Sequence, residues 1–247
     1  MDVSQNETLR AFENLPAFLA ARGHTLLKEP HAQSGPDERA SLEAVSDVIA
    51  QLGRWEAVAR TARGGTAVVY LLSAEAEAGR GGRSTDEMRK LLAQAVIWAE
   101  KTPGAPLEEV LVFATKSMLA PDKAVQGVVK EFNEAAGAAP PYYFAYPYSL
   151  LAAVIPSLPS VSRHEVALVK DVEAYLRINY LKPAELPRLD ALSDPPAIWC
   201  GAYPGDYVQV WSRSETAAAE VPEFRRCGRV QGYDGRAPLP EAGQQPP

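Results

Sequence analysis

The sequence predicts an α+β protein, with a mixed α/β layer structure up to about Leu151, a small α+β unit after it, and a polar tail. Three observations carry that reading. Short continuous apolar runs such as Val110-Leu111-Val112-Phe113 alternate with stretches whose apolar residues fall at helical spacing. Two prolines in Pro156-Ser157-Leu158-Pro159-Ser160 favour an extended break. From Tyr180 to Thr216 the pieces form a helix end, a short helix, a glycine turn and a strand, in that order. The expected boundaries are 1–155, 156–231 and 232–247.

Taken in order, Asn6 is placed to cap a first helix carrying Leu9, Phe12, Leu15 and Leu19, with a kink at Pro16 and an end near Gly23. Thr25-Leu26-Leu27 reads as a short strand and 31–37 as a polar turn. A second helix starts near Pro36, buries Leu42, Val45, Val48, Ile49 and Leu52, and stops at Gly53. Trp55 to Val58 and Ala67 to Leu72 read as strands. After a Gly/Arg loop over 79–84, Ser84 and Glu87 spell a capping box for a helix holding Met88, Leu91, Leu92, Ala95 and Trp98. Thr102-Pro103-Gly104-Ala105-Pro106 ends it, and Val110 to Phe113 has the character of a buried strand. Lys123 to Glu134 suits a helix, and the aromatic run from Tyr142 to Tyr146 a strand packed into a core.

Beyond the break, Ser162 and Glu165 spell a second capping box, for a helix holding Val166, Val169, Val172, Leu176 and Tyr180. Pro183 ends it, because proline denies its predecessor the helical conformation. Asp194 is placed to cap a short helix with Pro195 in its first position. Gly205-Asp206 turns into a strand from Tyr207 to Trp211, and the Gly, Pro and Gln content over 232–247 predicts disorder.

Composition bounds the function. The chain has 247 residues, 47% of them apolar, and a formal charge of -6 from 25 basic and 31 acidic residues. That charge argues against a free-standing nucleic-acid binder that works by neutralising phosphates. Divided at Pro156, there are 15 basic and 19 acidic residues before it and 10 and 12 after it, so neither part is a basic module. Cys200 and Cys227 are far apart in sequence, which fits reduced thiols better than a disulfide framework. The acidic, polar start and the lack of a long apolar run predict no signal peptide and no membrane span, hence a soluble intracellular protein.

The stretch Tyr180-Leu181-Lys182-Pro183-Ala184-Glu185-Leu186-Pro187-Arg188, then Asp194-Pro195-Pro196-Ala197, the Gly205 turn into its strand, and Arg213-Ser214-Glu215-Thr216 resembles a known assembly domain. This is the C-terminal domain of the shared fifth subunit of eukaryotic RNA polymerases, a domain also found in the archaeal counterpart, which lacks the N-terminal part. Its pattern is approximately Y-x-L-K-x-x-Q-L-P-R, D-P-x-A, a glycine turn and strand, and R-x-S-E-T. Glu185 replaces the usual Gln, and Ala218-Ala219 stand where the family has a glycine. The N-terminal likeness is weaker, resting on Arg22-Gly23, Val110 to Phe113 and Ala120-Pro121-Asp122-Lys123.

The resemblance implies an N-terminal jaw domain with a nuclease-like mixed sheet and a non-catalytic role in DNA-directed RNA polymerase. The C-terminal domain would dock on the largest subunit and neighbouring small subunits through Glu185, Leu186, Pro187, Arg188, Asp194, Arg213, Ser214, Glu215 and Thr216. The jaw would lie along downstream duplex DNA, with Lys116, Pro121 and Lys123 near phosphate and without sequence readout. The resemblance implies no cofactor, metal, membrane or small-molecule substrate of the protein's own. The location would be the nucleus for a cellular protein. For a divergent homologue encoded by a large DNA virus, which the Ala-rich composition suggests, it would be a viral factory, the host nucleus or the virion.

A rival reading is a metal-dependent nuclease built on the N-terminal domain, which needs Pro-Asp followed by an acid-x-Lys. Pro121-Asp122 supplies the first half, but none of the eight lysines has an acid two positions before it. A zinc site would have to draw on the scattered His24, His31, His164, Cys200 and Cys227. Neither a G-x-S-x-G elbow nor a G-x-x-x-x-G-K phosphate loop occurs.

Overall fold

The computed structural model describes residues 3–28, 42–73, 84–100, 105–121, 123–137, 140–190, 193–214 and 219–228. The turn expected over 31–37, the loop over 79–83 and the tail over 232–247 lie outside the described residues. The chain divides into two compact units, Met1–Val154 and Ile155–Pro247.

The first unit is built on a five-stranded sheet in the order β1-β2-β3-β4-β5. Its strands are β1 (Thr25–Lys28), β2 (Arg54–Arg60), β3 (Thr66–Leu72), β4 (Leu107–Ala114) and β5 (Tyr142–Pro147). The first three pair antiparallel, whereas β3, β4 and β5 run parallel. The parallel pairs need crossovers, supplied by helix α3 (Thr85–Glu100) and helix α4 (Ala124–Ala136). Both faces are covered. Met88, Leu92 and Val128 of the crossover helices pack with Val68, Tyr70, Val110 and Val112. The opening helix α1 (Val3–Ala21) sets Phe12 edge-on to Trp55 at 5.6 Å and Phe18 edge-on to Phe113 at 5.4 Å. All seven residues of β3 are therefore buried, which is why it reads as a continuous apolar run.

Local signals fix the ends of these elements. Ser84 Oγ accepts the Glu87 amide at 3.2 Å, and the Glu87 carboxylate accepts the Ser84 amide at 3.0 Å, the reciprocal cap read from the sequence. Gly23, at φ 71°, closes α1, with its own amide bonded to Ala20 O and that of His24 to Leu19 O. Helix α1 already runs from Val3, so Asn6 lies inside it, and it continues through Pro16. Helix α2 (Leu42–Leu52) buries Val45 and Ile49, whereas Leu42 and Leu52, expected inside, are exposed. Those two residues stand at opposite ends of the helix, where the packed face runs out.

The second unit holds a four-stranded sheet in the order β6-β8-β9-β7. Its strands are β6 (Arg163–Val166), β7 (Arg188–Asp190), β8 (Tyr207–Ser214) and β9 (Ala219–Gly228), and its helices α5 (Val169–Ile178) and α6 (Pro195–Trp199). β8 pairs antiparallel with both β6 and β9, while β7 runs parallel to β9. Leu189, Ala197, Ala202, Val208, Val210 and Cys227 form one small core. Val172, Leu176, Leu186 and Phe224 form another.

Here the sequence reading needs correction. Arg163 to Val166 is a strand, and Ser162 and Glu165 cap nothing: Glu165 Oε1 instead accepts from Arg163 Nε at 2.9 Å. The ladder to Val208–Trp211 overrides the local helical spelling. The helix is shorter than expected, from Val169 to Ile178, and Tyr180 lies beyond it at φ 56°. The amide of Leu181 bonds Leu176 O at 2.9 Å and that of Tyr180 bonds Arg177 O at 3.4 Å. Tyr180 thus takes the left-handed position that glycine usually fills after a helix, at a cost of about 1 kcal/mol for a residue with a Cβ.

Candidate partner-docking site

The C-terminal residues singled out by sequence differ sharply in what they present. Pro183 to Glu185 form a single 3₁₀ turn after the helix end. In it the Glu185 carboxylate accepts the Lys182 amide at 2.6 Å, so this acid is engaged in holding its own turn. Leu186, only 3% exposed, points into the core with Val172, Leu176 and Phe224. Pro187 is exposed, and its carbonyl accepts the Arg226 amide at 2.9 Å. Arg188 is exposed at the start of β7, in register with Arg226. The strand therefore holds its backbone while its guanidinium faces water as a planar donor.

Asp194 begins α6 as expected, followed by Pro195 and Pro196, but its side chain makes no capping bond. The carboxylate is half-buried, and burial raises its pKa. His164 and Arg225 pull it down and Asp190 pushes it up, so this acid looks toward β6 and β9 instead of its own helix. Arg213 and Ser214 end β8, with Ser214 in register with Ala219 at the start of β9. Glu215 and Thr216 lie outside the described residues, in the four-residue connection between these antiparallel strands.

In the first unit, Lys116, Pro121 and Lys123 are exposed around the segment that joins β4 to α4. Leu119 donates its amide to Lys116 O at 3.2 Å, and Lys123 its own to Ala120 O at 2.9 Å. Lys123 precedes α4 in an extended conformation with no side-chain cap. The partial positive charge of that helix start adds to the two ammonium groups. Asp122, on which the nuclease reading rests, lies outside the described residues.

Sequence reasoning missed a buried ionic cluster. Glu109, 0% exposed on β4, accepts from Arg22 at 2.5 Å and meets His24 Nε2 at 2.5 Å. The Ala62 amide donates to His24 Nδ1 at 3.3 Å, so the ring proton sits on Nε2 and is given to Glu109. Charge in this cluster is matched internally, and nothing in it opens toward solvent. The one signal available was a glutamate directly before the apolar run of β4, with Arg22-Gly23-His24 at the end of a helix.

Among the described residues no three His, Cys, Asp or Glu side chains gather as a metal site, and no helix is long and apolar enough to cross a membrane. Neither cysteine is in a disulfide, and Cys227 is buried. Burial, and then the nearby Asp206, Cys200, Asp194 and Asp190, push the Cys227 thiol up to about 12, far from a nucleophile's range. The exposed groups are suited to recognition by charge and hydrogen bonding.

No protein-family model matches the chain. It is 30% identical over 187 residues to the DNA-directed RNA polymerase RPB5 homolog of African swine fever virus (isolate Pig/Kenya/KEN-50/1950), a match covering 75% of this chain and 84% of that protein. The homologues of isolates Tick/South Africa/Pretoriuskop Pr4/1996 and Warthog/Namibia/Wart80/1980 are 40% and 38% identical over 76 residues, 31% of this chain and 37% of each relative. By the first match the chain belongs to the RPB5 homolog family of DNA-directed RNA polymerase, as a divergent member with viral relatives.

Proposed function

We propose that this subunit of DNA-directed RNA polymerase docks through its C-terminal unit on the largest subunit and its small neighbours, leaving nucleotidyl transfer to the two largest subunits. Family membership over three quarters of the chain is the observation that carries this reading. The division of labour is supported by the site itself. Pro187 and Arg188 are exposed on a backbone fixed by the ladder to β9. Leu186 supports that surface from the core, and the exposed Glu185 holds the 3₁₀ turn beside it. Asp194 and the Arg213-Ser214-Glu215-Thr216 connection complete the proposed docking surface, within an assembly domain over 156–231.

The test is replacement of Arg188 and Glu215 together by alanine. The expected outcome is a clear drop in the largest polymerase subunit recovered with the tagged chain. Unchanged recovery would place the docking surface elsewhere.

The first unit, as a jaw over 1–155, would lie along downstream duplex DNA with Lys116 and Lys123 near phosphate and Pro121 shaping the turn between them. Such contacts position DNA without reading its sequence. Neutralising both lysines is expected to weaken the elongation complex in a salt-dependent way, whereas a flat salt response counts against the contact. Work in a viral factory, the nucleus or the virion fits a transcription subunit with viral relatives. No observation favours the nuclease reading.

A further inference from the structure

We infer that Tyr180 is an aromatic anchor by which the C-terminal unit seats in an acid-rimmed apolar pocket of the largest polymerase subunit, an inference that rests on the subunit reading above. Three features converge on it. All nine residues from Arg177 to Glu185 are exposed, with Ile178 at 72% and Tyr180 at 95%. Tyr180 also stands at φ 56°, in the position after α5 where folding alone is best served by glycine. The side chain there is carried against a backbone preference and gains no burial in return, the pattern of a residue kept for something outside the chain.

The third feature is charge. Arg177 and Lys182 bracket the exposed Ile178, Tyr180 and Leu181, and the one acid in the run, Glu185, is bonded to the Lys182 amide. An apolar centre with a basic rim is complementary to an apolar pocket with an acidic rim. Tyrosine is a favoured anchor for such pockets because it buries a large rigid surface with few torsions to freeze. Single-stranded nucleic acid stacked on the ring is the competing occupant. Arg177 and Lys182 could meet phosphate, but the exposed aliphatic Ile178 and Leu181 beside the ring would stay unburied on a nucleic-acid strand, so a protein pocket fits better.

Glycine at this position separates folding from binding. The tagged full chain carrying Tyr180→Gly or Tyr180→Phe is expressed with its own polymerase, and two quantities are read. They are the thermal midpoint of the purified chain and the largest polymerase subunit recovered per tagged chain. Tyr180→Gly is expected to melt at or above the unsubstituted chain while recovery falls about tenfold or more, the size of effect seen for an aromatic hot spot. Tyr180→Phe is expected to keep most of the recovery.

Undiminished recovery with Tyr180→Gly overturns the inference, and so does a lowered midpoint, which would make the residue structural. Tyr180-dependent binding of a fluorescent oligothymidylate with subunit recovery unchanged overturns it in favour of nucleic acid. If the unsubstituted chain recovers no polymerase subunit, the subunit reading falls and this inference with it. If only the Arg188 and Glu215 replacements lower recovery, the anchor alone is wrong.

Discussion

The two units handle buried polar groups in opposite ways. In the first, both faces of the sheet are covered, and charged side chains lie fully inside: Arg22, Glu109 and Glu56 are all buried. They are tolerated because each has an opposite partner, Arg22 with Glu109 and Arg54 with Glu56. In the second, Leu189 is buried between exposed Arg188 and Asp190, and the cores are only a few residues deep. Among the buried titratable groups described there, the Cys227 thiol lies near carboxylates and stays neutral. A thick unit can keep ions inside as internal fastening. A thin one turns most of them outward, as with Arg188 and Asp190 on either side of Leu189.

The largest effect expected from this contrast lies at Glu109. Glu109→Ala strands the Arg22 guanidinium and the His24 ring proton in the interior, for a loss of about 3–5 kcal/mol. Glu109→Gln keeps one acceptor oxygen but sets its NH2 against the other donor, so it should lose less than the alanine variant and still be destabilised. Urea unfolding of the full chain, followed by tryptophan fluorescence, measures both variants. A loss below about 1 kcal/mol for Glu109→Ala would mean that the ions in the first unit do not fasten it, and the comparison would break.

How much of this was legible in the sequence depended on the range of the deciding interaction. The Ser84 and Glu87 cap, the glycine stop at Gly23 and the proline start of α6 are set within a few residues, and the structure keeps them. The strand over Val110 to Phe113 was legible because burial on both faces leaves a continuous apolar run. The partners of Glu109 lie 85 and 87 residues away, and no spacing rule joins them. Arg163 to Val166 carried a local capping spelling, yet its fate was set by β8 some forty residues on. The exposed Arg188 was readable through family resemblance. The strain at Tyr180 was not, because a backbone torsion has no signature in a tyrosine codon's neighbours.

A smaller effect sharpens the same comparison from the side of the second unit. The Cys227 thiol titrates at about 12 when folded, against an ordinary 9.0, with burial as the largest cause. Between those values the folded chain holds a proton that the unfolded chain has released. Stability from this group is therefore whole below about pH 9 and is lost as pH rises toward 12. Urea midpoints measured at rising alkaline pH should fall more steeply for the unsubstituted chain than for Cys227→Ala. Alkylation at pH 8 should modify the half-buried Cys200 well before Cys227, because the thiolate is the reactive form. Equal rates for the two, or identical alkaline slopes with and without the thiol, would show that the second unit does not shield its interior. The contrast would then reduce to one of size, since a core that admits hydroxide and reagent excludes water no better than the surface above it.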